Sequence, residues 1–315
     1  MQNRSAENYF SVFYGRRGLR ILPAYFVLLA VFMAVRMLPS LRDLEAFNEG
    51  KVPFWNYFLL IQNFTMASTG EWGAVPLGIT WSVALEEQFY LFLPLLIRLI
   101  PARLLPISFL VFAAVGPLFR AIAPLAHAPF LVPGSAEALF VGTWLAWAFE
   151  YKSEIFKSSR WRGTMLGVFV LGTVGMLLLV TKHDFGVFAV SVISAFWASF
   201  LWLVLAFMGT PWTAPLRHFT FRWVGGLSYG VYLFHLLINQ LVFIALTGSS
   251  PGHQIGNLRG FLIAILVSAL TLAFAVLSFY GMERPLIALG RKLKYVQRRP
   301  AKTIPATPIL PTPTA

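Results

Sequence analysis

Long apolar runs are the feature that most constrains how this chain can fold. Eight of them are predicted to span a membrane, because about 20 apolar residues are needed to cross the hydrocarbon core of a bilayer. They cover residues 21–37, 82–100, 104–123, 136–150, 164–181, 186–208, 227–247 and 258–281. Only 12% of the residues are charged, against about 25% in ordinary soluble domains. The sequence therefore excludes a soluble globule and predicts an all-α, polytopic membrane bundle of about eight transmembrane helices.

One further apolar run, residues 54–64, is not counted as a span. It is rich in aromatic residues and is interrupted by Asn56, Gln62 and Asn63. Runs of about 10–14 residues are more typical of interfacial or re-entrant segments than of spanning helices. We therefore expect this run to stay on one side of the membrane.

The surplus of basic residues predicts the orientation of the bundle. The formal net charge is +13, which in a soluble protein would suggest nucleic-acid binding. In a membrane protein, Lys and Arg instead concentrate on the cytoplasmic side. With eight spans and a cytoplasmic N-terminus, 19 of the 25 Lys and Arg residues fall on that side. Both termini are therefore predicted to be cytoplasmic, with the protein in the cytoplasmic membrane and no nucleic-acid partner.

The chain divides into a membrane domain and a tail. Residues 1–290 contain all the predicted spans, and the polar segment Met1–Arg20 lacks the apolar run of a cleavable signal peptide. Residues 291–315 are basic and then proline-rich, so this cytoplasmic tail is expected to be disordered. The chain has no cysteine, and its His residues lack metal-ligand spacing, so neither a disulfide nor a metal site is predicted.

Two adjacent carboxylates, Glu86 and Glu87, lie inside the second predicted span. An ionised carboxylate at that depth costs several kcal/mol unless it is paired or hydrated. Residues four apart share a helical face, so Glu86 is expected beside Ser82 and Tyr90, whereas Glu87 points about 100° away. Two interpretations stay open for each carboxylate: a catalytic group, or a structural partner of an Arg on a neighbouring helix.

A polar stripe runs along the seventh predicted span. Its members are spaced by four, three and four residues and so share one helical face: Ser228, Tyr232, His235 and Asn239. A His near mid-membrane suits proton transfer, because neutral imidazole can be buried and still accept a proton near neutral pH. The alternative is a His that only joins two packed helices by a hydrogen bond.

An arginine cluster lies at the cytoplasmic mouth of the first predicted span. It consists of Arg16, Arg17 and Arg20. Clustered guanidinium groups bind phosphates by charge and by bidentate hydrogen bonds. The alternative is an anchor that only fixes the topology.

Four segments stand out in order along the chain: RRGLRILPAYF at 16–26, TWSVALEEQFYLFLPLL at 80–96, GGLSYGVYLFHLLI at 225–238 and GMERPL at 281–286. Together they resemble the acyltransferase type 3 family, multi-spanning membrane O-acyltransferases that include O-antigen and Nod-factor acetylases. The resemblance runs from about Tyr14 to Leu286. Four ordered matches are far more specific than any one of them.

The resemblance implies an enzyme that takes an acyl group, usually acetyl, from cytoplasmic acyl-CoA. The acceptor is then a hydroxyl of a cell-envelope saccharide or glycolipid. The predicted residues for holding the CoA phosphates are Arg16, Arg17 and Arg20. Those predicted to line an intramembrane site, where a carboxylate or the His assists deprotonation of the acceptor, are Glu86, Glu87, Tyr232 and His235.

The sequence departs from the pattern of the family at one point. Members of the family have ten helices, and the resemblance implies that the eight predicted here correspond to all but the first two. The first of those two carries a His to which acyl transfer is attributed, and no residue of this sequence corresponds to that His. A non-catalytic membrane carrier or a pseudoenzyme partner is therefore the alternative function. From the predicted topology, Glu86 and Glu87 are expected toward the outer face and Arg20 at the inner face, so that acyl transfer has to bridge much of the bilayer.

Overall fold

The computed structural model describes residues 1–38, 41, 44–48, 50–123, 128–181, 185–250 and 257–297, and within these ranges the chain is mostly helical. The long helices are α1 (Tyr9–Arg36), α2 (Trp81–Leu99), α3 (Leu105–Ile122), α4 (Ala136–Tyr151), α5 (Ser159–Val180), α6 (Ala189–Ala206), α7 (Phe219–Thr247) and α8 (Leu258–Ser278). A π-helical turn, Phe279–Glu283, leads from α8 into the shorter α9 (Arg284–Lys292).

Each predicted span corresponds to one of these long helices. Six stretches in the described ranges are long and apolar enough to cross a membrane: Tyr9–Arg36, Leu105–Ile122, Ser159–Val180, Gly186–Ala206, Phe219–Thr247 and Leu258–Lys292. Two helices fall short for different reasons. α2 carries Glu86, Glu87 and Arg98, and α4 has only 16 residues. The all-α polytopic bundle is confirmed.

The helix starts differ most from the apolar runs at α1 and α7. α1 begins at Tyr9 and α7 at Phe219, whereas the apolar runs start at residues 21 and 227. Arg is a good helix former, so a helix continues into a basic flank that hydropathy does not count. As a result, the arginine cluster lies within α1 and not in front of it.

The run at 54–64 forms a break between two short helices. Phe54–Phe58 and Gln62–Thr69 have 5 and 8 residues, too few to cross a bilayer. Leu60 between them has a φ of 57°, in the left-handed region, which costs a residue with a Cβ about 1–2 kcal/mol. The Nε2 of Gln88 in α2 donates a hydrogen bond to the Leu60 carbonyl at 3.0 Å. This bond from α2 helps to hold the break in place.

The first and last described residues lie at the same end of the bundle. The Glu7 N–H donates to the Val296 carbonyl at 3.0 Å, and the Val296 N–H donates to Asn8 Oδ1 at 2.8 Å. An even number of crossings requires this arrangement. Residues 291–297, which the sequence assigned to the tail, are thus packed, and residues 298–315 lie outside the described ranges.

α5 and α6 pack against each other at very short range. A Cβ on Gly172 would lie 3.0 Å from the Phe196 Cα, and one on Gly175 would lie 2.6 Å from a Val192 methyl. Small residues allow this close approach of membrane helices. The pair is tied to the rest of the bundle through Arg120 of α3.

Arg120 forms a buried polar centre with its neighbours. Its Nη2 lies 2.6 Å from Glu137 Oε1 and donates to Ser191 Oγ at 3.0 Å. Ser191 in turn donates to Glu137 Oε2 at 2.9 Å. Because these residues belong to α3, α4 and α6, the network joins three helices.

Candidate functional site

Arg17, Tyr90 and Glu86 form a hydrogen-bonded chain between α1 and α2. Arg17 Nη1 donates to Tyr90 Oη at 3.0 Å, and Tyr90 Oη donates to Glu86 Oε1 at 2.5 Å. The guanidinium also lies over the Tyr90 ring, 4.3 Å from its centre. The expected proximity of Glu86 and Tyr90 is confirmed.

The expected separation of the carboxylates from the arginine cluster is wrong. Tyr14 Oη donates to the Leu91 carbonyl at 3.0 Å, and one turn later Arg17 contacts Tyr90. α1 and α2 therefore run antiparallel with these residues at one level. The error arose because the sequence placed the cluster in front of the first span, whereas Arg17 lies about two turns inside α1.

Glu87 follows Glu86 in α2, so the two positions lie about 100° apart around the helix. Glu87 Oε1 is buried and has no hydrogen-bond partner among the described residues. The charged groups close enough to act on it are Glu86 and Arg17. A buried polar atom without a partner is uncommon in proteins and often marks a functional position.

The polar stripe of α7 lines a groove of about 730 Å³ between α7 and α8. All four stripe residues face it, which confirms that they share one side of the helix: Ser228, Tyr232, His235 and Asn239. The rest of the lining is mainly apolar, with two hydroxyl groups from α8: Val224, Leu227, Val231, Val267, Ser268, Thr271 and Leu272.

The His235 ring has one nitrogen available to the groove. Its Nδ1 lies 2.7 Å from the Tyr232 carbonyl oxygen. A carbonyl can only accept, so Nδ1 carries the proton and donates it, which leaves Nε2 with a free lone pair in the neutral ring. His235 is thus arranged to accept a proton at Nε2.

Tyr232 connects the groove to α2. Its hydroxyl donates to the Ile79 carbonyl at 2.9 Å and lies 2.5 Å from Ser82 Oγ. Ser82 Oγ also lies 3.3 Å from the Ile79 carbonyl, so the two hydroxyl groups and this carbonyl form one hydrogen-bonded group. The two bonds fix the ring of Tyr232 beside His235.

A second, basic cavity of about 560 Å³ lies near the end of the bundle that holds both chain ends. Arg20 of α1 lines it together with Arg284 and Arg291 of α9. Within the described ranges, none of the three has a carboxylate at ion-pair distance. Glu283 also lines this cavity, and its Oε1 accepts a hydrogen bond from Ser278 Oγ at 2.8 Å.

The three arginines of the predicted phosphate cluster have different surroundings. Arg20 lines the basic cavity, and Arg17 binds Tyr90. Arg16 donates from Nε and Nη2 to the Leu293 carbonyl at 3.1 and 2.6 Å, so it fastens the C-terminal segment. The structure therefore does not bring the cluster together around one cavity.

Sequence analysis missed Arg284 and Arg291. They are seven residues apart, so they lie on the same face of α9. Arg284 lies within GMERPL and Arg291 at the start of the predicted tail, and both were interpreted only as cytoplasmic charges that set the topology. The helical spacing of the two residues could have identified them as a pair.

The basic cavity and the groove meet at Ser228, which lines both. Gly225 and Gly226 border the basic cavity just before it in α7. A Cβ on Gly225 would have no heavy atom within 4 Å, so this side of Ser228 is open. One serine thus separates a polar cavity from an apolar one.

Comparison with known proteins identifies the family. The family model described as an acyltransferase domain, that of the type 3 acyltransferases, matches residues 3–280. The chain belongs to this acyltransferase family. With its apolar helices, it is a multi-pass membrane protein. No curated protein and no solved structure matches the chain.

Proposed function

We propose that this acyltransferase-family protein moves an acyl group from cytoplasmic acyl-CoA to a hydroxyl of an envelope saccharide or glycolipid in the cytoplasmic membrane. Acetyl is the acyl group that the family resemblance implies. The observation that carries the proposal is the meeting, at Ser228, of a basic cavity and an intramembrane groove that contains a proton acceptor. This arrangement suits a donor with a polyanionic end and an uncharged reactive end.

The phosphates of the donor are held by Arg20, Arg284 and Arg291. Guanidinium groups bind phosphate oxygens by charge and by paired hydrogen bonds. In the described part of the chain none of these three has a carboxylate within ion-pair distance, although Glu283 of the same cavity acts on Arg20 electrostatically. Of the arginines in the sequence prediction, only Arg20 belongs to this set. The set leaves out Arg16 and Arg17, whose guanidinium groups bind Leu293 and Tyr90.

The chemistry is a direct transfer between a thioester and a hydroxyl. The acceptor oxygen attacks the thioester carbonyl while His235 Nε2 takes the hydroxyl proton, and the carbon–sulfur bond breaks. The proton then passes from the imidazolium to the sulfur, which leaves an ester and the free thiol of CoA. General-base assistance of this kind contributes about 10²–10⁴ in rate.

The remaining predicted site residues position these groups. Tyr232 is held by Ser82 and Ile79 and packs beside the His235 ring, with the ring centres 6.2 Å apart. Neither Glu86 nor Glu87 is among the residues that line the groove or the basic cavity. We therefore assign both carboxylates to the support of the interface between α1 and α2, with Arg17 as the nearby cation.

The test of catalysis is release of the CoA thiol by purified protein that is given acetyl-CoA and an envelope glycan. His235→Ala is expected to release CoA at least a hundredfold more slowly, whereas Glu86→Gln retains most of the activity. The matched control is His218→Ala, at the exposed start of α7. Equal rates in all variants would remove His235 from the mechanism. No release by any folded variant would favour the non-catalytic carrier.

The test of the donor site is equilibrium binding of free CoA. Arg284→Ala is expected to weaken binding about tenfold or more, because a hydrogen bond to a charged group contributes about 1.5–3 kcal/mol. Arg217→Ala is the control, since this exposed Arg lies on the same predicted side of the membrane and does not line the cavity. Equal losses in both variants would mean that binding depends only on general positive charge.

A further inference from the structure

We propose that the groove between α7 and α8 receives the acyl chain of the donor, which passes Ser228 on its way from the basic cavity. The inference rests on the proposed function, since it assumes that the basic cavity holds CoA. It goes further by assigning one compartment to the acyl group and by naming two residues, Ser228 and Val267, that limit which donors fit. It also predicts that donors with chains longer than acetyl are accepted.

Adjacency of the two cavities is the first argument. Ser228 is an exposed residue that lines both, so a long ligand in the basic cavity has to pass only this residue to reach the groove. The lining also changes character at this point. Arginines surround one side, whereas Val224, Leu227 and Leu272 are among the residues on the other. An acyl-CoA has the same division between its phosphates and its chain.

The position of His235 indicates in which direction the donor lies along the groove. Seven residues separate it from Ser228 in α7, a rise of about 10 Å along the helix. The flexible pantetheine arm of CoA spans this rise and brings the thioester to Nε2. The acyl chain then continues beyond His235, toward Asn239.

Contacts between α7 and α8 show which residue lies at that far end. The two helices run antiparallel: Arg259 Nη2 donates to the Leu246 carbonyl at 2.8 Å, and a Cβ on Gly230 would lie 3.3 Å from the Ala275 Cα. Eight residues onward from Gly230 in α7 and eight back from Ala275 in α8 give positions 238 and 267. Val267 therefore stands at the level of Asn239, at the end of the groove away from Ser228.

The size and lining of the groove are the third argument. Its volume of about 730 Å³ is large enough for the end of the pantetheine arm together with a short acyl chain, and its lining is mainly apolar. A buried methylene contributes about 0.8 kcal/mol to binding, or about a fourfold gain in affinity. Each carbon added to a chain in this groove should therefore tighten the complex until Val267 is reached.

The experiment measures binding, so that it does not depend on turnover. Wild-type protein in lipid nanodiscs is titrated with 3′-phospho-ADP, free CoA and non-transferable thioether analogues of acyl-CoA with chains of increasing length. Affinity is expected to rise with chain length over several carbons and then to stop rising. An affinity that is the same for every chain would overturn the proposal.

Two pairs of variants locate the route. Val267→Phe is expected to remove the gain for longer chains, while Ile265→Phe, on the lipid-exposed side of the same helix, keeps it. Ser228→Leu is expected to remove the gain for every chain, while Phe221→Leu, at an exposed position of α7 that lines neither cavity, keeps it. A thermal unfolding temperature close to that of the wild type shows that the bulky variant is folded.

The outcomes separate this inference from the function it rests on. If neither 3′-phospho-ADP nor CoA binds, the proposed function fails. If CoA binds with the expected dependence on Arg284 but chain length or Val267→Phe has no effect, only the acyl groove is refuted. In that case the groove is left to the acceptor, and Val267→Phe should instead raise the KM for a lipid-linked acceptor with every donor.

Discussion

The two helical pairs α1–α7 and α5–α6 are similarly apolar, yet they are packed very differently. In the most apolar stretch of α1 and of α7, 33% of the residues are buried, compared with 11% in the stretches of α5 and α6. The first pair carries Arg17, Arg20, Tyr232 and His235, whereas none of the proposed site residues lies on the second pair. Apolar content thus identifies a membrane helix but does not indicate whether it faces protein or lipid.

This contrast predicts that substitutions in the two regions affect different properties of the protein. Substitutions in the site region should change the reaction and leave the folded state intact, because its polar groups face cavities. Substitutions at the contacts that hold the α5–α6 pair should change stability and leave the activity of the folded protein unaltered. Four experiments test the division, from the largest expected effect to the smallest.

Asn is close to His in size but cannot act as a base near neutral pH. His235→Asn is expected to lower the rate of acyl transfer by about 10²–10⁴. Its unfolding temperature in detergent should stay within the range of neutral surface variants. A large fall in that temperature would show that His235 is mainly a packing residue and would break the contrast.

Arg120→Met removes one partner of a buried ion pair. The side chains of Arg120 and Glu137 are only 3% and 10% exposed, and leaving a buried charge unpaired costs about 3–5 kcal/mol. The expected result is a strong loss of stability, measured by denaturant unfolding in detergent, with a normal rate of CoA release per folded molecule. A selective loss of activity at full stability would place this network in the site.

Gly172→Leu tests the close packing of α5 on α6. A side chain there meets the Phe196 backbone, and overpacking of this kind costs typically 1–3 kcal/mol. Gly167→Leu is the control on the same helix, because a Cβ at Gly167 has no heavy atom within 4 Å. Thermal unfolding of the two variants should therefore differ, and equal unfolding temperatures would contradict the packing.

Lys157→Met should have the smallest effect. Its ion pair with Glu154 has side chains that are 69% and 79% exposed, and such pairs contribute about 0–1 kcal/mol. The comparison with Arg120→Met sharpens the difference between exposed and buried charges in one protein. A loss as large as that of Arg120→Met would mean that this end of α5 is covered by something outside the described structure.

The features that could be predicted from the sequence are those that depend on hydropathy and residue spacing within a single helix. The eight runs, the shared face of Ser228 and His235, and the approach of Glu86 to Tyr90 all follow from hydropathy and from spacings of three, four and seven residues. The failure of 54–64 to span follows from its length. These features require no knowledge of neighbouring helices.

What depends on contacts between helices could not be predicted. Arg120 was counted only as a charge near the outer end of a span, yet it has a buried partner 17 positions away in another helix. Arg284 and Arg291 join Arg20 only because α9 packs back onto α1. Hydropathy gives the number and approximate ends of helices, but not which faces meet.

The backbone of Leu60 has a consequence for every helix that follows it. If Leu60 relaxed to a right-handed conformation, residues 54–69 would form one continuous helix and lose the turn that folds them back. A chain that also crossed the membrane there would cross twice before α2 instead of once, and all later loops would exchange compartments. The left-handed conformation of Leu60, stabilised by the Gln88 amide, therefore helps to determine on which side of the membrane each later loop lies.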